Sequence, residues 1–64
     1  MLTFETRTDG VVTVRQGFGG EPYYQGEITM GDTGAWFDPS PQAGPFTLAE
    51  TKQLVAKLEE LEST

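Results

Sequence analysis

Apolar and polar positions along this 64-residue chain alternate strand-like up to Asp38 and recur with a helical period after Phe46. Leu2, Phe4 and Thr6 alternate with Thr3, Glu5 and Arg7, the pattern of a half-buried strand. Val11 to Gln16 is β-branched and alternates again, and Asp9-Gly10 between the two runs is a hairpin signal. A two-residue Asp9-Gly10 turn would set Phe4 opposite Arg15 and Glu5 opposite Val14, mixing core and solvent residues on each face. A three-residue loop, Thr8-Asp9-Gly10, sets Phe4 opposite Val14, Thr6 opposite Val12 and Arg15 opposite Thr3. One face is then apolar, so this register is expected, with Gly10 in the left-handed bulge position.

Gly17-Phe18-Gly19-Gly20-Glu21-Pro22 is too glycine-rich to hold a strand and reads as a loop. Alternation resumes from Tyr23 to Met30, with Tyr24, Ile28 and Met30 on the core side and Tyr23, Gln25, Glu27 and Thr29 on the other. Gly26 falls on the apolar side and marks either a bulge or a close contact. Gly31-Asp32-Thr33-Gly34 is a turn, and Ala35 to Asp38 is a short fourth strand. Pairing Met30 with Ala35 sets Ile28 opposite Phe37 and leaves Trp36 on the non-core face beside Thr29.

Residues 39–46 form an irregular crossover, because Pro39, Pro41 and Pro45 remove donors and fix φ. Thr47-Leu48-Ala49-Glu50 then has capping-box spacing, and a helix is expected over 47–63. Leu54, Val55, Leu58 and Leu61, with Thr51 between turns, make its apolar face at 100° per residue. Lys52, Gln53, Ala56, Lys57, Glu59 and Glu60 take the rest. All eight glycines and all four prolines precede Thr47. The expected fold is α+β: a single domain over 1–64, a four-stranded antiparallel meander of two hairpins (1–38), the proline-rich crossover (39–46) and one C-terminal helix packed on one face.

Composition narrows what such a domain does. A chain this short buries only about 60% of the surface its unfolded form exposes. With no cysteine and no histidine it lacks disulfides, thiolate ligands, the usual general base and the commonest metal ligand. Ten carboxylates face four basic side chains (Arg7, Arg15, Lys52, Lys57), for a net charge of −6. Neutralising phosphates needs basic groups, so neither direct nucleic-acid binding nor an anionic membrane surface is expected. No apolar run approaches the roughly 20 residues of a membrane span. Met1-Leu2-Thr3-Phe4-Glu5 lacks the basic and apolar regions of a signal peptide, so a cytoplasmic location is expected.

The candidate chemical motifs have simpler explanations. The Gly17-x-Gly19-Gly20 loop lacks the third glycine of a dinucleotide fingerprint, since that position is Pro22, and a strand follows where a helix is required. Asp32-Thr33-Gly34-Ala35 resembles the active-site segment of aspartic proteases. That fold needs two such aspartates, and tight-turn chemistry accounts for the same letters. Glu27 and Asp38 face each other in the expected register, which reads either as a weak cation site or as a solvated edge with splayed side chains. No nucleophile with a base is visible, so no catalysis, cofactor or metal is expected.

Three features point to a partner. Trp36 and Tyr23 fall on the non-core face among polar residues, the composition of a binding hot spot, unless the crossover folds over Trp36 and buries it. Phe18, between glycines, either anchors a partner or folds onto the core. Glu59, Glu60 and Glu62 sit in the last helical turns, where the macrodipole favours cations. They end either as a solvated terminus or as an acidic patch for a basic partner.

The short, acidic, cysteine-free layout resembles small phage-encoded accessory proteins, among them anti-CRISPR and anti-restriction inhibitors. That resemblance implies stoichiometric occupation of a basic, nucleic-acid-receiving surface without catalysis. The arm-binding domain of phage-type integrases, a three-stranded sheet backed by a helix, is a weaker comparison. Arg7 and Arg15 share the exposed sheet face here, but the overall charge opposes DNA. The expected function is therefore a protein-binding module contacting a basic partner through Tyr23, Glu27, Asp32, Trp36, Asp38, Glu59, Glu60 and Glu62. The alternative is a structural or regulatory small subunit that completes its core as a homodimer.

Overall fold

The computed structural model describes residues 1–17 and 23–63. The expectations for the glycine-rich loop and for Phe18 lie outside these residues. Four strands, β1 (Leu2–Thr6), β2 (Val12–Gln16), β3 (Tyr23–Gly31) and β4 (Gly34–Pro39), form one antiparallel sheet in the order β1-β2-β3-β4. Helix α1 (Leu48–Glu62) packs on one face, which makes the fold α+β with a meander. Among the described residues no helix is long and apolar enough to cross a membrane.

The hairpin registers follow from the hydrophobic pattern. Phe4 lies opposite Val14, Thr6 opposite Val12 and Thr3 opposite Arg15. Arg7 N–H donates to Val11 O at 2.8 Å and Gly10 N–H to Arg7 O at 3.1 Å, with Gly10 at φ 90° closing the three-residue loop. In the second hairpin Met30 lies opposite Ala35, Ile28 opposite Phe37, Thr29 opposite Trp36 and Glu27 opposite Asp38.

The middle pairing departs from simple alternation. Val14 lies opposite Gly26, but Arg15 lies opposite Tyr24, so Gln25 is an extra residue on β3. A bulge of this kind reverses the side to which every residue beyond it points. Tyr23, opposite Gln16, therefore belongs to the helix-facing side, and Tyr24, opposite Arg15, to the outer face. The expected sides of Tyr23 and Tyr24 are thus exchanged, and Gln25, expected to face solvent, is fully buried. Gly26 makes this possible. It sits at φ 149°, and a Cβ there would strike the carbonyl oxygen of Asp38 and lie 2.9 Å from Pro39 Cα and 3.0 Å from the Phe37 ring. It serves both as bulge neighbour and as close contact.

The buried core is Leu2, Val12, Val14 and Ile28, with Phe4, Ala35, Phe37, Phe46, Leu54, Leu58 and Leu61 packed against it. Phe46 reaches in from the crossover and lies 5.9 Å from Phe37, ring to ring. The helix begins in a complete capping box: Glu50 N–H donates to Thr47 Oγ1 at 3.2 Å, and Thr47 N–H to Glu50 Oε1 at 3.0 Å. Its buried stripe is rotated from the expected one. Val55 is 49% exposed, whereas Gln53 and Lys57 are half-buried and Glu50 is buried. Gln53 and Lys57 flank the Leu54–Leu58 line on one side and Val55 on the other, so turning the helix toward polar partners lifts Val55 out. Lys57 Nζ lies 5.8 Å over the Phe4 ring.

The helix also ties down both sheet edges. Leu2 N–H on β1 donates to Gln53 Oε1 at 3.1 Å, and Ala35 N–H on β4 donates to Glu62 Oε2 at 2.9 Å. From Gln53 to Glu62 the helix rises about 13 Å, close to the roughly 14 Å between the outer strands of a four-stranded sheet.

Candidate functional site

Two regions carry side chains beyond what the core needs, one on each side of the sheet. Among the described residues no helix lies over the outer face. Trp36 lies there, 45% exposed, so the crossover does not cover it. Its ring rests against Gly31, where a Cβ would collide with the indole, and its Nε1–H donates to Asp38 Oδ2 at 3.0 Å. Glu27, opposite Asp38, accepts from Arg7, which also holds Asp9 at 2.8 Å. Arg15 approaches Glu5 at 3.7 Å on the same face. In the Glu27–Asp38 pair, Glu27 is thus paired with the Arg7 guanidinium and Asp38 accepts from the Trp36 indole, which offsets the like-charge pairing. Among the described residues no group of three or more Asp or Glu side chains is placed to hold a metal ion.

The eight residues expected to contact a partner divide among four places. Glu27, Trp36 and Asp38 share the outer face. Tyr23 lies on the opposite side, where its hydroxyl donates to Gln42 O at 2.9 Å. Asp32 is exposed in the β3–β4 turn. At the helix end Glu59 and Glu60 are exposed, with Glu60 3.4 Å from Lys57 Nζ, while Glu62 is engaged as the cap on Ala35 and packs over Gly34. One indole and two carboxylates are therefore brought together, and the others are not.

The second region was not anticipated. Where the helix start, the crossover and the ends of β2 and β3 meet, a cavity of about 810 Å³ opens. Its walls are Met1, Gly17, Tyr23, Pro45, Thr47 and Ala49, and Gln16, Gln25, Glu50 and Gln53 also line it. Gln16 (2% exposed), Gln25 (0%) and Glu50 (5%) are buried beside a core that has, among the described residues, four buried apolar side chains. They form one directional chain. Gly44 N–H donates to Gln25 Oε1 at 2.9 Å, Gln25 Nε2 to Gln16 Oε1, and Gln16 Nε2 to Glu50 Oε1. The Met1 ammonium lies 2.9 Å from Glu50 Oε2. A backbone N–H can only donate and a carboxylate can only accept, so the two ends fix the orientation of both amides. No buried side-chain polar atom is left without a partner among the described residues.

Glu50 is ionised throughout the ordinary pH range. Its pKa is lowered from 4.5 to about 2, first by the Thr47 backbone N–H, then by the Gln16 amide and the N-terminal ammonium, against the opposing effect of burial. Sequence reasoning read Glu50 as a cap alone, and placed Gln16 and Gln25 at strand ends or in solvent. The available signal was limited to Gln16 closing the second strand and to a capping glutamate, since Gln25 lies inside the third strand. Comparison with known protein families, with curated proteins and with solved structures gave no match.

Proposed function

We propose that this chain is a non-catalytic protein-binding module whose outer sheet face docks on a basic surface of a partner. The observation that carries this reading is Trp36: a half-exposed indole held flat on an open sheet by Gly31, with Asp38 on its Nε1 and Glu27 alongside. A rigid, pre-placed aromatic with a polar rim has the anatomy of an interface anchor. The net charge of −6 supplies steering toward a positive partner. Tyr24, 43% exposed on the same face, replaces Tyr23 in this surface. Occupation of a nucleic-acid-receiving surface in the cytoplasm is the role that the resemblance to phage-encoded inhibitors implies.

The test is capture of a partner from bacterial lysate at low and high salt, with Trp36→Ala as the paired bait. The reading expects a basic protein that high salt releases and that Trp36→Ala captures at least tenfold less well, while the variant keeps its far-UV spectrum. Equal capture by both baits overturns it. A salt-insensitive homodimer in sedimentation, with Trp36 buried at its interface, would replace it with the small-subunit reading.

A further inference from the structure

We propose that the outer edge of β1 pairs antiparallel with β1 of a second copy, joining two four-stranded sheets about a two-fold axis at Phe4. The contact leaves the outer face open and stands independently of the protein-binding reading.

The two edges of the sheet are protected unequally. In an antiparallel ladder, alternate residues direct their N–H and C=O groups toward the neighbouring strand and away from it. Arg7 N–H donates to Val11 O and Gly17 N–H to Met1 O, so the odd-numbered residues along β1 face β2. Leu2, Phe4 and Thr6 therefore point outward. The helix takes the first of these donors, Leu2 N–H, through Gln53. Among the described residues nothing accepts from Phe4 N–H or Thr6 N–H. On β4, Ala35 N–H points to Glu62, so the outward set there is Ala35, Phe37 and Pro39. Ala35 is capped and Pro39 has no N–H, which leaves Phe37 as a lone donor. Covering and proline are means by which folded chains stop an edge from recruiting another strand. β4 has both, whereas β1 keeps two open donors in succession.

The register follows from what is open. Centred on Phe4, the pair sets Phe4 opposite Phe4, Leu2 opposite Thr6 and Thr3 opposite Glu5 of the second copy. Phe4 N–H then reaches Phe4 O, and Thr6 N–H reaches Leu2 O, in both directions. Leu2 N–H stays on Gln53, so every open donor is used and the helix tie is kept. On the helix side the two half-buried Phe4 rings meet as an aromatic cross-strand pair, which is favourable. On the outer face Thr3 against Glu5 opposes no like charges. Centring on Glu5 would oppose two carboxylates, and centring on Thr6 would need Thr8, which lies in the turn. The contact is isologous and closes at two copies. Both helices then lie on one side and both Trp36 side chains on the other, so one dimer offers two docking faces.

The test is sedimentation equilibrium of the full chain from micromolar to millimolar concentration, where a reversible dimer is expected. Thr6→Pro removes an N–H that points away from β2, at an edge position where proline is tolerated. It should raise the dimer dissociation constant at least tenfold with the far-UV spectrum unchanged. Trp36→Ala should leave that constant unchanged, which separates this contact from the docking face. In a mixture of 13C-labelled and unlabelled chains, an Hα–Hα contact between Thr3 of one copy and Glu5 of the other should mark the register, because directly opposed residues without mutual hydrogen bonds approach most closely. Should Thr6→Pro unfold the chain, that contact decides alone. A chain that stays monomeric to millimolar concentration overturns the proposal. So does a dimer that folded Thr6→Pro leaves intact, or one that lacks the Thr3–Glu5 contact.

Discussion

Gln16 donates its amide N–H to Glu50 Oε1 at 2.5 Å, joining the last residue of β2 to the first turn of the helix inside the core. Through this bond a capping glutamate also becomes the terminus of a buried polar chain. Helix start, sheet and crossover are thereby held in one mutual orientation.

Acid should loosen the fold through Glu50. Its folded pKa, about 2, lies below its ordinary 4.5, so the folded state binds fewer protons than the unfolded state between those values. The contribution is complete above pH 4.5, declines as pH falls and is gone below about 2. Denaturant melts between pH 7 and 2 should show this loss, and Glu50→Gln should flatten the slope in that window while lowering stability at pH 7.

The direction of the amide chain predicts an unusual ranking at Gln25. Gln25→Leu leaves Gly44 N–H and Gln16 Oε1 without partners and should cost about 1–3 kcal/mol. Gln25→Glu is nearly isosteric, yet it sets an acceptor against Gln16 Oε1 and buries a second negative charge. It should be the less stable variant at pH 7 by urea denaturation, and should recover relative to Gln25→Leu in mild acid, where the new carboxyl regains a proton to donate.

Two glycines separate backbone strain from collision. Gly10 has φ 90° with open space at its Cβ position, so Gly10→Ala should cost about 1–2 kcal/mol, the left-handed penalty alone. Gly26→Ala adds contact with the Asp38 carbonyl and Pro39 Cα, backbone atoms that cannot swing aside. It should cost more than Gly10→Ala, with overpacking adding roughly 1–3 kcal/mol. Thermal melts of the pair would check the order.

At the helix end, neighbouring acids should respond in opposite directions. Glu62→Ala removes the acceptor for Ala35 N–H and should cost about 0.5–1.5 kcal/mol. Glu59→Lys replaces an exposed acid in a turn that carries no basic residue and should gain about 0.3–1 kcal/mol from the macrodipole, less at high salt. Parallel chemical melts at low and high salt distinguish the two.

The periodicities alone determined much of this molecule. The Phe4–Val14 and Ile28–Phe37 registers, the Thr8-Asp9-Gly10 loop, the Thr47–Glu50 cap and the outward placement of Trp36 all follow from local rules. Turn residues, alternation and capping act between positions close in the chain or joined by a tight turn, so a reader of the sequence can apply them directly. What tertiary structure decided begins at Gln25. A single inserted residue on β3 moved Tyr23 to the helix side and Tyr24 to the outer face, and brought Gln25 against Gln16. Gly26 marked a bulge or a close contact in the sequence but not which neighbour becomes the extra residue, because that choice rests on how Gly26 meets Asp38 and Pro39 from another strand. The rotation of the helix that buries Glu50 and exposes Val55 has the same origin. Hydrogen bonds to Leu2, Gln16 and Ala35, distant in sequence, outweigh the burial of one more valine.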